Sequence, residues 1–294
     1  MEKFSNWRDK GTGISPFMPV PTPLYSNSSI VKKTGLFLIK SVIFALKLPL
    51  VIISVVLYYL TGLQFLAKFI VLVLFGFNRL ETLVDGVKRS HTDKIIASLP
   101  KRNDLIVVNH SSPLDGFIYA SLCSGVSWSK IAILIPDSQG SLTLYTVWSL
   151  FSHTFNPRAT GTPIELSQLK DKVVFLLLEG TPSNNKALLP FQPIATTDFS
   201  GFSIKSVVIK FQPQYLTMPI PHISKWMYLF EALTSISIKN NFIKAKIYSF
   251  EKWNLSSIKN SFEVNSLSIL GPQLDLTLKK QFEKYYFDFK VKKE

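Results

Sequence analysis

Leu105-Ile106-Val107-Val108-Asn109-His110-Ser111-Ser112-Pro113-Leu114-Asp115 is the stretch on which the fold turns. Residues 105–108 form an unbroken apolar run of the kind found in strands covered on both faces. Asn109 and His110 open a polar turn. Ser111 or Ser112 can cap a following helix, and Pro113 suits its first turn. Asp115 then falls in that first turn, where it can fold back on His110. A carboxylate bonded to one imidazole nitrogen fixes the tautomer and leaves the other nitrogen as a general base. The same spacing fits a helix-capping aspartate beside an ordinary loop histidine, and spacing alone does not separate the two.

A second buried run, residues 173–178, leads straight into Glu179-Gly180-Thr181. In an open α/β sheet, ligands gather outside the carboxyl ends of the strands. Two strand ends would then present His110 with Asp115, and Glu179 with Gly180 and Thr181. Gly180 lets the backbone turn sharply and approach a ligand closely. Arg158 and Lys186 lie on nearby loops, and an arginine can grip a phosphate with two parallel bonds. For any single Lys or Arg, however, a solvated surface is the commoner setting. Further strand candidates are residues 131–135, 207–211 and 243–250. Helix candidates are 114–122, 141–151 (Leu144, Trp148 and Phe151 at i, i+4, i+7) and 223–236. A last helix is expected after Gly271-Pro272, with Leu278, Phe282, Tyr285 and Phe289 on one face. Such alternation predicts an α/β fold, a mostly parallel sheet flanked by helices.

Upstream the chain changes character. Residues 48–67 are 20 consecutive residues without a charge, and the apolar pattern extends over 36–77. A helix needs about 20 such residues to cross the hydrocarbon core. The whole is too long for one straight span and the second half is short for another. Thr61-Gly62 is the expected break, giving an N-terminal membrane hairpin with both ends on one side. The alternative is a buried helix pair in a soluble fold. Lys32 and Lys33 before the run and Arg79 after it put positive charge on both flanks, which the positive-inside tendency assigns to the cytosol. The organisation expected is a tail (1–29), a membrane anchor (30–79), a catalytic-type domain (80–250) and a C-terminal extension with a helix (251–294).

Composition agrees. In 294 residues, 47% are hydrophobic and 18% charged, which excludes a disordered chain. The net charge is +14, and residues 1–80 carry half of it. The basic residues are scattered between apolar runs, with no helix-turn-helix, zinc-finger or RNP signature, so no nucleic-acid partner is expected. Membrane lipids and a phosphorylated substrate fit better. The single cysteine, Cys123, excludes an intrachain disulfide and a multi-cysteine metal site.

At this point the sequence resembles the glycerolipid acyltransferases, the family of 1-acylglycerol-3-phosphate acyltransferases. Its N-H-x-S-x-x-D box is matched in full by Asn109, His110, Ser112 and Asp115. Its G-x-x-F-x-x-R block is matched by Phe155 and Arg158, with Ser152 in place of the glycine. Its E-G-T block is matched by Glu179, Gly180 and Thr181. Pro182-Ser183 follows where many bacterial members have Arg-Ser, and the stretch through Pro193 is closer to the eukaryotic branch. Residues 205–211 match the fourth block loosely. The opening residues 1–17 also resemble the start of a eukaryotic member.

The resemblance implies acyl-CoA-dependent acylation of a lysophospholipid, lysophosphatidate at its sn-2 hydroxyl foremost. His110 would be the base and Asp115 its orienting partner. Asn109, Ser112, Arg158, Glu179, Gly180, Thr181 and Lys186 would hold the glycerophosphate. Acyl-CoA would serve as co-substrate, with no cofactor, no metal and no covalent enzyme intermediate. Cys123 would then be an ordinary buried thiol. The setting implied is the endoplasmic reticulum membrane and the lipid-droplet surface, with the catalytic domain cytosolic. Two alternatives stand beside this reading: an acyltransferase for another lysophospholipid such as lysophosphatidylcholine, and a non-catalytic lipid-binding membrane protein.

Overall fold

The computed structural model describes residues 2–20, 30–137, 139–155, 161–195, 198–212, 214–217, 224–235 and 241–291. Its centre is one sheet of eight strands: β1 (Arg79–Val84), β2 (Asp104–Val108), β3 (Ile131–Pro136), β4 (Leu142–Tyr145), β5 (Thr162–Pro163), β6 (Val173–Leu176), β7 (Ser203–Gln212) and β8 (Phe242–Phe250). Their spatial order is β1-β8-β7-β2-β6-β3-β4-β5. The central pairs β7–β2, β2–β6 and β6–β3 are parallel, as is β1–β8. Pairs β7–β8, β3–β4 and β4–β5 are antiparallel, so the sheet is mixed. Around it lie α1 (Ile30–Thr61), α2 (Gln64–Phe69), α3 (Thr92–Ser98), α4 (Asp115–Leu122), α5 (Val147–Phe155), α6 (Lys225–Leu233), α7 (Leu255–Glu263) and α8 (Leu276–Val291).

The central strands are buried on both faces, and alternate residues serve different cores. Ile106, Val108, Ile133, Phe175, Val207 and Ile247 point into a core shared with the helices that include α4. Leu105, Val107, Leu134, Leu176 and Val208 point into the opposite one, with Ile258 and Phe262 of α7. A third cluster joins the two ends of the chain: Trp7 and Phe17 pack with Leu270, Leu274 and Phe282, and with Ala187 and Leu189 of the loop after Thr181. Tyr285 of α8 also packs on Trp7, 4.7 Å between ring centroids with the rings tilted at 39°. The side chain of Phe289 lies outside the described residues.

Several expectations need correction. The helix expected over 141–151 is instead strand β4 followed by α5, and Leu144 belongs to the strand. Leu-Thr-Leu-Tyr pairs antiparallel with β3, and Thr146 begins the helix through a reciprocal cap. Thr146 N–H donates to Ser149 Oγ at 2.7 Å and Ser149 N–H returns to Thr146 Oγ1 at 3.1 Å. Trp148 is largely exposed, so the expected apolar stripe does not form. The strand read as 173–178 stops at Leu176, and the strand read as 207–211 runs the full length of β7. Strands β1 and β5 and helices α3 and α7 were not expected. The helix read over 223–236 is α6, and its two expected end residues lie outside the described ones.

The helical hairpin turns at Gly62, whose φ of 67° belongs to the left-handed region open to glycine. Its two arms differ from expectation in their partners. α2 and the π-helical turn Ile70–Leu74 bury Leu66, Ala67, Ile70, Val71 and Leu74 within the main core. α1 is the one helix among the described residues long and apolar enough to cross a membrane. One stripe of it packs on the domain: Lys40, Phe44, Lys47, Val51, Ser54 and Tyr58, at the i+3, i+4 spacing of a helix face. Lys40 Nζ meets Glu231 Oε2 of α6 at 2.6 Å, and the Tyr58 hydroxyl donates to the Val126 carbonyl at 3.1 Å.

Candidate active site

β2 and β6 lie side by side in register, Val107 opposite Leu176, so their carboxyl ends open onto the same edge. Beyond β2 the chain turns through His110 and enters α4 at Asp115. Asp115 Oδ2 collects three donors there: His110 Nδ1 at 2.9 Å, Ser111 N–H at 2.7 Å and Ser112 N–H at 3.1 Å. A carboxylate only accepts, so the Nδ1 nitrogen carries the ring proton and Nε2 holds a free lone pair. Both side chains are buried, and Nε2 has no hydrogen-bond partner. The arrangement orients the ring through Nδ1 and leaves Nε2 unengaged in a buried site.

Beyond β6, Leu177 and Leu178 remain buried and Glu179 follows. Its two oxygens accept different backbone groups: Oε1 takes His110 N–H at 2.8 Å and Oε2 takes Leu189 N–H at 2.9 Å. Burial pushes the Glu179 carboxyl up to about 8, against the pull of these N–H donors. Gly180 has φ 70°, and a Cβ there would meet Gln192 and Leu276 at 3.3–3.4 Å. Ser183 N–H donates to the His110 carbonyl at 2.9 Å, a second link between the two turns.

The expected site residues divide into three groups. His110, Asp115, Glu179, Gly180 and Thr181 come together at the two strand ends. Asn109 and Ser112 are there too, but their polar atoms are engaged by protein. Asn109 Oδ1 accepts Ile209 N–H at 2.8 Å and its Nδ2 donates to the Ile209 carbonyl at 2.9 Å, continuing the β2–β7 ladder by one rung. Ser112 Oγ donates to the Leu216 carbonyl at 2.8 Å and lies 3.0 Å from the Tyr228 hydroxyl. Lys186 is exposed and outside the cluster, while Arg158 lies outside the described residues. Cys123 is free and buried, and burial pushes its thiol up, which keeps it unreactive.

Two residues at the site were missed from the sequence. His153 of α5 is buried against the Tyr145 ring at 4.5 Å, and its Nδ1 has no partner. Burial lowers it to about 4, and the neighbouring His110 and Lys279 push in the same direction. Lys279 of α8 is 6% exposed and donates to Thr181 Oγ1 at 2.6 Å and to the Pro182 carbonyl at 2.8 Å. Its signal was legible: it stands three residues before Phe282 and seven before Tyr286, a charge on the apolar face of that helix.

Two fungal proteins are similar to this chain. Over its entire length it is 29% identical to lysophosphatidic acid:oleoyl-CoA acyltransferase 1 of Saccharomyces cerevisiae, of which it covers 99%. Over 75% of its length it is 30% identical to a Schizosaccharomyces pombe protein named "Putative lysophosphatidic acid:oleoyl-CoA acyltransferase", of which it covers 77%. No protein-family model matches the chain, and no solved structure matches it significantly. With two strand-end motifs meeting at one sheet edge and this similarity along most of its length, the chain is an acyltransferase and belongs to the glycerolipid acyltransferase family.

Proposed function

We propose that the enzyme transfers an acyl group from acyl-CoA to the free sn-2 hydroxyl of lysophosphatidate, giving phosphatidate and CoA. The observation that carries the reading is the His110 Nδ1–Asp115 Oδ2 bond, which leaves Nε2 as a base. Nε2 takes the acceptor's hydroxyl proton as that oxygen attacks the thioester carbonyl. Asp115 holds the ring and balances the imidazolium charge. The tetrahedral intermediate then expels the CoA sulfur, and the imidazolium returns its proton to it. Nε2 is buried, so the acceptor reaches it only after the covering side chains move.

An apolar groove of about 480 Å³, lined by Val55, Tyr59, Trp128, Leu144, Tyr145 and Trp148, supports the lipid side of the reading. It runs beside α1, and Tyr145 is shared between its wall and the ring contact with His153. Both substrates carry acyl chains, and the outer faces of α1 would hold the site against the bilayer that contains them. The endoplasmic reticulum and the lipid-droplet surface are the compartments this reading assigns.

The test is the purified full-length chain given labelled acyl-CoA with a panel of lysophospholipids. Label should enter phosphatidate from lysophosphatidate, and His110→Ala should abolish the transfer at unchanged expression. Transfer that persists in His110→Ala, or none to any acceptor by wild type, overturns the reading.

A further inference from the structure

Of the two cations expected to hold the acceptor's head group, Lys186 is exposed and Arg158 lies outside the described residues. A different cation is at the strand-end cluster. Lys279 comes from the last helix, about a hundred residues further along the chain, and its ammonium is inserted at the E-G-T turn. It bonds the carbonyl of Pro182, and the next residue, Ser183, bonds the carbonyl of His110. Four residues before Ser183, Glu179 bonds the His110 N–H. The ammonium and the His110 turn are thus held by one five-residue segment, Glu179–Ser183.

Among the described residues the Lys279 ammonium has no carboxylate within hydrogen-bond distance. Its two short partners are neutral oxygens, and the third N–H is left over. Glu283, one turn along the same helix, is 4.0 Å away and partly exposed. Glu179 faces it from the loop after β6, and His153 faces it from α5. A buried charge is costly unless paired, and a structural tether between α8 and this turn would need only a neutral donor. A buried cation, the unpartnered Nδ1 of His153 and the basic nitrogen of His110 together fit an anionic ligand that also carries a reactive hydroxyl.

We propose that Lys279 is the cation that binds the phosphate monoester of the acceptor and sets the enzyme's preference for that head group. The inference rests on the acyltransferase reading for which ligand binds, not for the site's taste for a phosphate. Burial lowers the ammonium to about 8, while Glu283 and Glu179 oppose that shift. A phosphate monoester gains its second charge above about pH 6. Phosphate-dependent binding should therefore be strongest between these values and fall above pH 8. Glu179 ionises in the same range, so Lys279→Arg, which keeps its charge, separates the two contributions.

The experiment measures binding of lysophosphatidate, and of the monoacylglycerol with the same chain, to the full-length protein in detergent micelles without acyl-CoA. Lys279→Gln is expected to weaken lysophosphatidate binding about tenfold and leave monoacylglycerol binding within twofold. Lys279→Arg should retain the preference and lose the fall above pH 8. Equal weakening of both ligands by Lys279→Gln marks a structural tether and overturns the proposal. So does an unchanged affinity for lysophosphatidate. Should Lys279→Gln fail to melt cooperatively, the pH profiles of wild type and Lys279→Arg decide: identical profiles overturn the proposal. Phosphate-dependent binding without acyl transfer by wild type would instead overturn the acyltransferase reading and leave Lys279 in place.

Discussion

The Glu179 carboxylate accepts the backbone N–H of His110 at 2.8 Å, joining turns 69 residues apart in the chain. His110 is therefore held from two directions. Asp115 fixes its ring from the helix that follows, and Glu179 fixes its backbone from the neighbouring strand end. With Oε2 on Leu189 N–H, Glu179 also braces the loop that packs against both chain ends. Its position at the site serves the placement of the base as well as any contact with substrate.

That placement has a pH signature. The Glu179 carboxyl is raised by burial from 4.5 to about 8. An acid with a raised folded value binds its proton more tightly folded than unfolded. Its effect on stability is thus most favourable below 4.5 and declines as pH rises towards 8. Melting temperature should fall across that window in wild type, and Glu179→Gln should flatten the slope. Because Gln presents a donor to one of the two N–H groups, the variant should also be less stable by about 1–3 kcal/mol at pH 5. An unchanged slope in a pH series of thermal melts would refute the assignment.

Asn109 should behave as a clamp. Asn109→Ala leaves the buried Ile209 N–H unpaired and removes one donor from the Ile209 carbonyl, so we expect a loss of about 1–3 kcal/mol in stability. KM for the acceptor should stay within twofold in the folded fraction. Denaturant melts combined with initial-rate kinetics check this, and a raised KM at unchanged stability would return Asn109 to substrate binding.

Asp115→Asn keeps the shape but removes the negative charge that balances the imidazolium. We expect kcat to fall by about 10²–10⁴, with KM for acyl-CoA little changed. A kcat within threefold of wild type would show that His110 works without its partner.

How much of this was legible depends on distance in the chain. The runs 105–108 and 173–178 announce buried strands because each is apolar throughout and ends in polar turn residues. Their adjacency in the sheet is non-local, and only the fold shows that β6 inserts between β2 and β3. The 141–151 stretch was misread because four residues of Leu-Thr-Leu-Tyr fit both a strand period and part of a helical one. The cap at Thr146 and Ser149 was the signal that separates them. The cations legible beside the motifs are those near them in sequence, whereas Lys279 reaches Thr181 from 98 residues away.

The last prediction concerns how the chain meets the membrane. From Lys40 to Tyr58, about 27 Å of α1 at 1.5 Å per residue, one stripe is committed to the domain. A helix crossing the bilayer over that length would carry the domain beside it into the hydrocarbon. The opposite face carries Leu38, Val42, Leu46, Ile53, Val56 and Leu60, all at least half exposed. We therefore expect α1 to lie in the interface, with one face on protein and the other against lipid. Both ends of the chain should therefore lie on one side, where acyl-CoA is supplied. Tags at the two termini should be cleaved together by protease added to sealed microsomes, and protection of either one would refute the arrangement. The two faces should also respond differently to mutation. Val42→Asp, Leu46→Asp and Ile53→Asp together should release the protein from membranes with little change in melting temperature. Tyr58→Ala should instead lower stability by about 3–5 kcal/mol, because it empties a core position between α1 and Trp128. Loss of stability from the outer-face triple, with membrane binding retained, would mean that this face is buried in protein and that another surface meets the lipid.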